Sequence, residues 1–291
     1  MMNKNILITK SSGEKSQFSE KKLRNSLTRS GANEEQINFI INEISSQLYE
    51  GISTKQIYKL AFSLLRDNSR HLAARYNLKQ AIMELGPSGY PFEKYIAEIL
   101  NAQGYKTKVG QIVQGKCVSH EIDVIAEKEN KSFMVECKYH NLRGVFCDVK
   151  VPLYIQARFK DVESQLLQMN HSTKSYQGWV VTNTKFSVDA LKYGICAGLN
   201  LLSWDFPIKG GLREQIDSLG LYPITCLTSL TKAEKQKLLD RKIVLCKEIK
   251  SDERLLEIVG VKQSRIYTVI KEAQQLCKNI EPQTQIKQIN E

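Results

Sequence analysis

The sequence predicts a multidomain α/β protein with a helical N-terminal domain, a central α/β sheet core and a helical C-terminal hairpin domain. The chain has 291 residues, which is long for one domain. Apolar residues recur every three or four positions before residue 87 and after residue 209, a spacing typical of amphipathic helices. Between these regions strands alternate with helices, which is typical of a sheet covered on both faces.

The first domain, residues 1–86, is predicted to begin with a short strand at 6–9 and a turn that contains Gly13. Ser53, with Gln56 three residues later, predicts a capping box at the start of a helix. The run Gly-Pro-Ser-Gly at 86–89 is turn-prone and predicts a domain boundary. Apolar spacing predicts helices at 21–30, 34–49, 54–67 and 71–85.

Four segments of this domain, ITKSSG, FSEKKL, LYEGISTKQIYKLA and AARYNLKQAIMELGPSG, resemble the ATP cone. This module senses nucleotides in ribonucleotide reductases and in their transcriptional repressor. The resemblance implies that Lys10, Gly13, Lys22 and Thr54 bind ATP or dATP as a regulatory ligand. Lysines and the free amides of a glycine turn suit a triphosphate. A cone with a purely structural role is the alternative.

The second domain, residues 87–208, contains a predicted hairpin that carries chemistry. HEIDVI at 120–125 and VECK at 135–138 alternate apolar and polar residues on either side of the turn at 128–131. This register places Asp123 opposite Glu136 and Glu121 opposite Lys138, with all four on one face. Neighbouring carboxylates destabilise each other unless a cation neutralises them, which predicts a magnesium site beside a lysine. An ordinary hairpin with a surface ion pair is the alternative.

The other elements of this domain follow in an order that fits a covered sheet. A helix from Pro91 has one apolar stripe, with Glu93 beside that stripe and Glu98 on the solvent side. After the hairpin we expect an extended segment at 145–155, a helix at 161–169, a strand at 179–183, a helix at 187–197 and a strand at 199–204.

Four stretches, YPFEKYIAEILNAQGYKTKVG, HEIDVIAE, FMVECKYH and GWVVTNTKFSVDALKYGICAGLNLLSW, resemble the Mrr-like branch of the PD-(D/E)xK nucleases, the restriction-endonuclease-like fold. The resemblance implies that Asp123 and Glu136 bind Mg²⁺, that Lys138 polarises the attacking water or the phosphate, and that Glu93 assists. Ile122 stands where the superfamily name has Pro. His120 is expected to be structural or to face a phosphate. Arg158, with Gln156, either contacts a phosphate or is simply solvated.

The third domain, residues 209–278, contains RLLEIVGVKQSRIYTVIKEA, which resembles a helix-hairpin-helix. The resemblance implies that Gly260, Lys262 and Arg265 bind a DNA phosphate through backbone amides and cationic side chains. A hairpin that only packs or dimerises is the alternative, so a homo-oligomer stays open. Residues 279–291 are polar without periodicity, which predicts a disordered tail.

Composition agrees with a cytoplasmic nucleic-acid-binding protein. The net charge is +11, which favours a polyanionic partner, although ribosome or acidic-protein binding would give the same balance. Seven dispersed cysteines indicate reduced thiols, and no apolar run is long enough to span a membrane. The sequence therefore predicts a magnesium-dependent DNA endonuclease regulated by ATP or dATP. A non-catalytic DNA-binding regulator and a nuclease for RNA or branched DNA are the alternatives.

Overall fold

The computed structural model describes residues 6–10, 12–142, 144–169 and 174–278. The N-terminal region is helical, as predicted, and a two-stranded antiparallel sheet lies at its entrance. The capping box between Ser53 and Gln56 is present, whereas the helix predicted at 71–85 is divided at Asn77. The elements are β1 (Leu7–Thr9), β2 (Lys15–Gln17), α1 (Glu20–Arg29), α2 (Glu34–Ser46), α3 (Thr54–Asn68), α4 (Arg70–Tyr76) and α5 (Leu78–Ile82).

The central region is a mixed sheet with helices on both faces. Its strand order is β3-β4-β5-β7-β9, with β3, β4 and β5 antiparallel and the following pairs parallel. The elements are α6 (Tyr90–Ala102), β3 (Lys106–Gln114), β4 (Ser119–Lys128), β5 (Lys131–Lys138), β6 (Phe146–Cys147), α7 (Lys150–Met169), β7 (Ser175–Thr182), β8 (Lys185–Phe186), α8 (Val188–Cys196) and β9 (Asn200–Leu202).

One predicted element of this region is wrong. The segment at 145–155 forms a strand only at Phe146–Cys147, and α7 already begins at Lys150. Pro152 does not interrupt α7, because in the first turn of a helix its missing N–H has no intrahelical partner to lose. Arg158 therefore lies near the middle of α7 rather than before the start of a helix.

The hairpin register is the predicted one along most of its length. Val124 pairs with Val135 and Lys128 with Lys131, so the loop contains only two residues, and Glu129 has a positive φ of 53°. The hydrogen-bonded ladder ends at the Val124–Val135 pair, at the opposite end from the loop. Asp123 and Glu136 occupy the first positions beyond this pair.

The strand is irregular at Asp123. Ile122 packs against the cluster that contains Phe159 of α7, whereas Val124 packs in the main core, although residues two apart normally face the same side. Gly110, on the neighbouring strand, has a left-handed φ of 62°. The site therefore lies where the sheet is locally distorted, as is common beside functional residues.

The C-terminal region is helical. Gly260, at φ 88°, turns the chain between its last two helices, giving the predicted helical hairpin. The predicted tail at 279–291 lies outside the described residues. The elements are α9 (Leu212–Leu219), a 3-10 turn (Ile224–Cys226), α10 (Lys232–Asp240), α11 (Cys246–Ser251), α12 (Arg254–Ile258) and α13 (Gln263–Leu276).

The three regions share one main hydrophobic core. It joins α5, α6, one face of the sheet and the C-terminal helices, while a separate core lies within the N-terminal region. Polar contacts cross the same boundaries: Arg75 donates to the carbonyls of Leu276 and Lys278 at 3.1 and 2.7 Å, and the Tyr139 hydroxyl donates to Met83 O at 2.6 Å. The boundary at residue 86 stays a prediction, but the domains pack as one unit.

Within the described residues, no helix has the length and apolar character that crossing a bilayer would require.

Candidate active site and nucleotide site

Three carboxylates meet at the open end of the β4–β5 hairpin. Asp123 lies on β4, Glu136 on β5 and Glu93 in the first turn of α6, and all three are half-buried. The backbone N–H of Cys137 donates to Asp123 Oδ2 at 2.7 Å, which fixes this carboxylate across the two strands. The structure thus brings together the predicted acidic residues from three separate elements.

The environment opposes the ionisation of these groups. Burial, followed by the charge of Asp123, raises the pKa of Glu136 to about 7 against the opposing effects of Arg158 and Lys138. Burial likewise raises the pKa of Glu93 to about 7, with contributions from Asp123, Glu121 and Glu136. Burial also raises the pKa of Asp123. The site therefore contains more negative charge than its own cations balance.

Arg158 is the feature of the site whose role the sequence left open. Its Nη1 lies 2.8 Å from Glu136 Oε2, and Nη2 donates to the carbonyl of Glu121. The side chains of Arg158 and Glu136 are only 14% and 21% exposed, so the pair is shielded from solvent. The solvated alternative for Arg158 is wrong, because α7 passes across the sheet and buries the guanidinium against β4 and β5.

Lys138 lies at the end of β5 with an exposed side chain. Its charge lowers the pKa of both Asp123 and Glu136, which places it in the same electrostatic environment. Across the described residues, no three His, Cys, Asp or Glu side chains are arranged to hold a metal ion by themselves. Magnesium commonly uses only one or two carboxylates with waters and substrate phosphates, so the two predicted ligands still fit it.

His120 is structural. Its Nε2 lies 2.8 Å from Asp161 Oδ2, and the other oxygen of that carboxylate accepts the Cys117 N–H at 2.8 Å. Asp161 of α7 therefore anchors the turn between β3 and β4. Gly115 belongs to this arrangement, because an added Cβ would collide with the Asp161 carboxylate.

The predicted nucleotide residues of the first domain partly converge. Lys10, Lys22 and Thr54 line one cavity of about 240 Å³, whereas Gly13 is not among the residues that line it. The backbone bond from Thr9 N–H to Ile52 O, 3.0 Å long, brings β1 next to the start of α3. Lys10 also forms an ion pair with Glu14 at 3.0 Å, which the motif did not indicate. A nucleotide phosphate would have to compete with this carboxylate for Lys10.

The predicted DNA-binding residues of the hairpin differ in their surroundings. Lys262 is exposed at the N-cap of α13. Arg265 instead forms a two-point ion pair with Glu234, at 2.6 and 3.0 Å, and donates to the carbonyl of Ser229. Its role in phosphate binding stays a prediction, since a phosphate would have to compete with a neighbouring carboxylate.

Comparison with known proteins assigns a family model to each region. The ATP cone domain matches residues 6–80, the restriction endonuclease model matches residues 86–205, and the AF1548-like C-terminal model matches residues 222–277. These matches agree with the three-part arrangement predicted from the sequence.

Two proteins match this chain over nearly their whole length. An uncharacterized protein of Archaeoglobus fulgidus is 39% identical over 183 residues, which is 62% of this chain and 99% of that protein. A solved structure titled "Crystal Structure of Protein of Unknown Function AF1548" has a TM-score of 0.54 and 38% identity, and the match covers 65% of this chain and 98% of the other. The chain belongs to the AF1548-like family, and it joins an ATP cone and a restriction endonuclease-like domain to the AF1548-like C-terminal domain.

Proposed function

We propose that the protein is a metal-dependent DNA endonuclease whose activity is regulated by ATP or dATP. The observation that carries this proposal is the meeting of Asp123, Glu136 and Glu93 at the end of a hairpin that also presents Lys138. A restriction endonuclease-like domain makes DNA the expected substrate, and the ATP cone makes a nucleotide the expected effector.

The donor set suits a hard divalent cation. Hydrogen bonds from Cys137 N–H and Arg158 occupy one oxygen each of Asp123 and Glu136, at 2.7 and 2.8 Å. The contacts among described residues leave Asp123 Oδ1 and Glu136 Oε1 for a cation, and oxygen donors are what Mg²⁺ prefers. Bound there, Mg²⁺ would lower the pKa of a coordinated water and neutralise charge on the scissile phosphate.

The remaining residues have roles that follow from their positions. Lys138 is an exposed, compact cation that can stabilise the charge developing on the phosphate. Glu93, with a pKa of about 7, can accept or donate a proton near neutral pH. Arg158 orients the Glu136 carboxylate and balances part of the negative charge of the site.

A hydrogen bond connects the end of the N-terminal helices with the residue that follows β5. The helices α4 and α5 lead from the nucleotide cavity to Met83, whose carbonyl accepts the Tyr139 hydroxyl at 2.6 Å. Tyr139 follows Lys138 in the chain, and an added Cβ on Gly86 would lie 2.7 Å from the Tyr139 ring. A change in the cone that moved residues 83–86 would therefore act on the end of β5.

Nicking of supercoiled plasmid in the presence of Mg²⁺ tests the proposal. Asp123→Asn and Lys138→Ala should each lower the rate by about 100-fold or more, because each removes charge stabilisation at the reacting phosphate. The matched controls are Asp189→Asn on the exposed side of α8 and Lys131→Ala at the other end of β5, and both should cleave like the wild type. Equal rates in all five proteins would contradict the proposal.

The Arg158–Glu136 pair also favours a second candidate, a non-catalytic DNA-binding regulator. Because Arg158 already neutralises Glu136, the site is partly balanced without a metal. A Mg²⁺-dependent rise in melting temperature that is lost in Asp123→Asn would support the nuclease. DNA binding without any metal effect or cleavage would support the regulator.

A further inference from the structure

A cavity of about 370 Å³ lies where the first domain meets the other two. Tyr58, Arg75, Tyr76 and Lys79 line it from the N-terminal helices, and Trp204 and Arg213 line it from the opposite side. Its volume falls in the range of ordinary small-ligand sites.

The lining of this cavity favours an anion. Arg75, Lys79 and Arg213 contribute positive charge, and no Asp or Glu occurs among the described residues that line it. Arg213 Nε lies 3.6 Å from Asp217 Oδ2, so one of the three charges is partly balanced from outside the cavity. Arg75 has a buried Nε without a hydrogen-bond partner. A cavity with this balance of charge attracts a phosphate group.

An adjoining cavity of about 620 Å³ shows the contrast. It shares Lys79, Trp204 and Arg213 with the smaller one, and it adds two cations and three carboxylates: Arg29, Lys185, Asp205, Glu214 and Asp217. Three carboxylates thus offset most of its four cations, whereas the described lining of the smaller cavity has three cations and no carboxylate, so the smaller cavity suits an anion better.

The smaller cavity adjoins the proposed nucleotide site. Ser26, Tyr58 and Tyr76 line both it and the cavity that contains Lys10 and Lys22. The rings of Tyr58 and Tyr76 stack with centroids 5.1 Å apart, and the Lys79 ammonium lies 5.4 Å from the Trp204 ring centroid. Nucleotide bases stack on aromatic faces, and cations beside those faces can pair with the phosphates.

We propose that this interdomain cavity binds the phosphate groups of a nucleoside triphosphate, so that the effector contacts Lys79 on the cone side and Arg213 across the boundary. The inference rests on the proposed nucleotide regulation and gives it a physical basis, because a ligand held from both sides stabilises one arrangement of the two domains. The phosphates belong either to one nucleotide that spans both cavities or to a second nucleotide beside the first.

Calorimetric titration of the full chain with ATP provides the test. Lys79→Gln and Arg213→Gln should each bind ATP about tenfold more weakly, the effect of losing one charge-assisted contact. Lys192→Gln, on the exposed side of α8, should bind like the wild type. If both variants bind more weakly, a stoichiometry of one indicates a nucleotide that spans the two cavities, and a stoichiometry of two indicates a second nucleotide.

The two levels of the proposal fail in different ways. Wild type that gives no heat with ATP would remove both the nucleotide regulation and this inference. Wild type that binds ATP, with binding weakened in Lys22→Ala but unchanged in Lys79→Gln and Arg213→Gln, would overturn the interdomain site alone. Circular dichroism checks that each variant is folded, and Arg213→Lys should recover part of the affinity if charge is what matters.

Tryptophan fluorescence gives a second readout. The chain has two tryptophans, and Trp204 lines the cavity, whereas Trp179 packs against Tyr105 and Phe133 elsewhere in the core. ATP should change the emission of the wild type and of Trp179→Phe, and the change should be lost in Trp204→Phe. An unaltered ATP response in Trp204→Phe would contradict the proposed site.

Discussion

The Arg158 guanidinium holds the Glu136 carboxylate, with Nη1 and Oε2 2.8 Å apart in a pair that is largely shielded from solvent. A buried carboxylate without a partner is costly, and here the opposing charge comes from α7, which packs on the face of the sheet that carries Glu136. The pair keeps one oxygen of Glu136 in a fixed orientation, and this is what a metal ligand requires.

Replacement of Arg158 should destabilise the protein in a pH-dependent way. In Arg158→Gln, Glu136 is left unpaired, and at pH 8 we expect a loss of about 1 to 3 kcal/mol in the free energy of unfolding. At pH 5 the loss should be smaller, because Glu136, with a pKa of about 7, is then mostly neutral in the native protein. Urea denaturation at the two pH values measures the difference, and the added change Glu136→Gln should remove most of it.

The raised carboxylate pKa values predict how the stability of the metal-free protein depends on pH. The pKa of Glu93 is about 7 in the folded protein, whereas the ordinary value for a glutamate is 4.5. At a pH between these two values, the folded state still holds the proton that the unfolded state has lost. The free energy of unfolding should therefore fall as pH rises from about 5 to about 7.

Glu93→Gln should remove part of this dependence. Since the amide carries no charge, the variant should be more stable than the wild type at pH 8 by about 1 to 2 kcal/mol, after allowance for solvent screening, and similar to it at pH 5. Thermal melts in metal-free buffer measure this. Glu98→Gln is the matched control on the same helix, where the carboxylate pairs with Lys247 at 3.7 Å, and an equal response in that variant would count against the explanation.

The sequence was sufficient to predict the hairpin and its acidic residues. Alternation along the two strands and the short turn between them determine the register, so Val124 and Val135 pair as expected. The local distortion at Asp123 was not predictable, because it arises in part from the left-handed Gly110 on a third strand. Backbone irregularity of this kind leaves little trace in the pattern of apolar residues.

Contacts between distant elements were the other part beyond the reach of sequence. Arg158 and Glu136 are 22 positions apart and lie on different elements. The extended segment predicted at 145–155 also concealed the first half of α7, the helix that carries Arg158. The apolar stripe of Leu78 and Ile82 predicts burial, but it does not reveal that the partners are C-terminal helices. The shared core therefore emerges only from tertiary packing.

Acid should weaken the anchor between α7 and the β3–β4 turn. The hydrogen bond from His120, with those from the Cys117 and Val118 amides, holds the pKa of Asp161 well below its usual range. A lowered pKa contributes stability that is present above about pH 4 and is lost as pH falls further. Asp161→Asn should be less stable than the wild type at pH 7, and the gap should narrow towards pH 3, whereas Asp189→Asn should show no such convergence. Guanidinium denaturation across this range measures both.

Loss of the Tyr139 hydroxyl should weaken the link between the cone and β5. Tyr139→Phe removes the 2.6 Å bond to Met83 O, and we expect a loss of about 1 kcal/mol in the free energy of unfolding. If that bond transmits the state of the cone, the ratio of plasmid-cleavage rates with and without ATP should move towards one. Tyr267→Phe, at an exposed tyrosine of α13, is the control and should leave the ratio unchanged.

The two cations of the C-terminal hairpin should respond differently to mutation. Lys262 is exposed, so Lys262→Ala should weaken DNA binding and reduce the salt dependence of affinity by about one phosphate contact. Arg265 pairs with Glu234 at 2.6 Å and with the Ser229 carbonyl, so Arg265→Gln should chiefly lower stability. Fluorescence anisotropy with labelled duplex DNA at several salt concentrations, beside a melting curve, separates the two effects. A full salt slope in Lys262→Ala, with a reduced slope in Arg265→Gln, would mean that DNA displaces Glu234 and that Arg265 is the residue that binds phosphate.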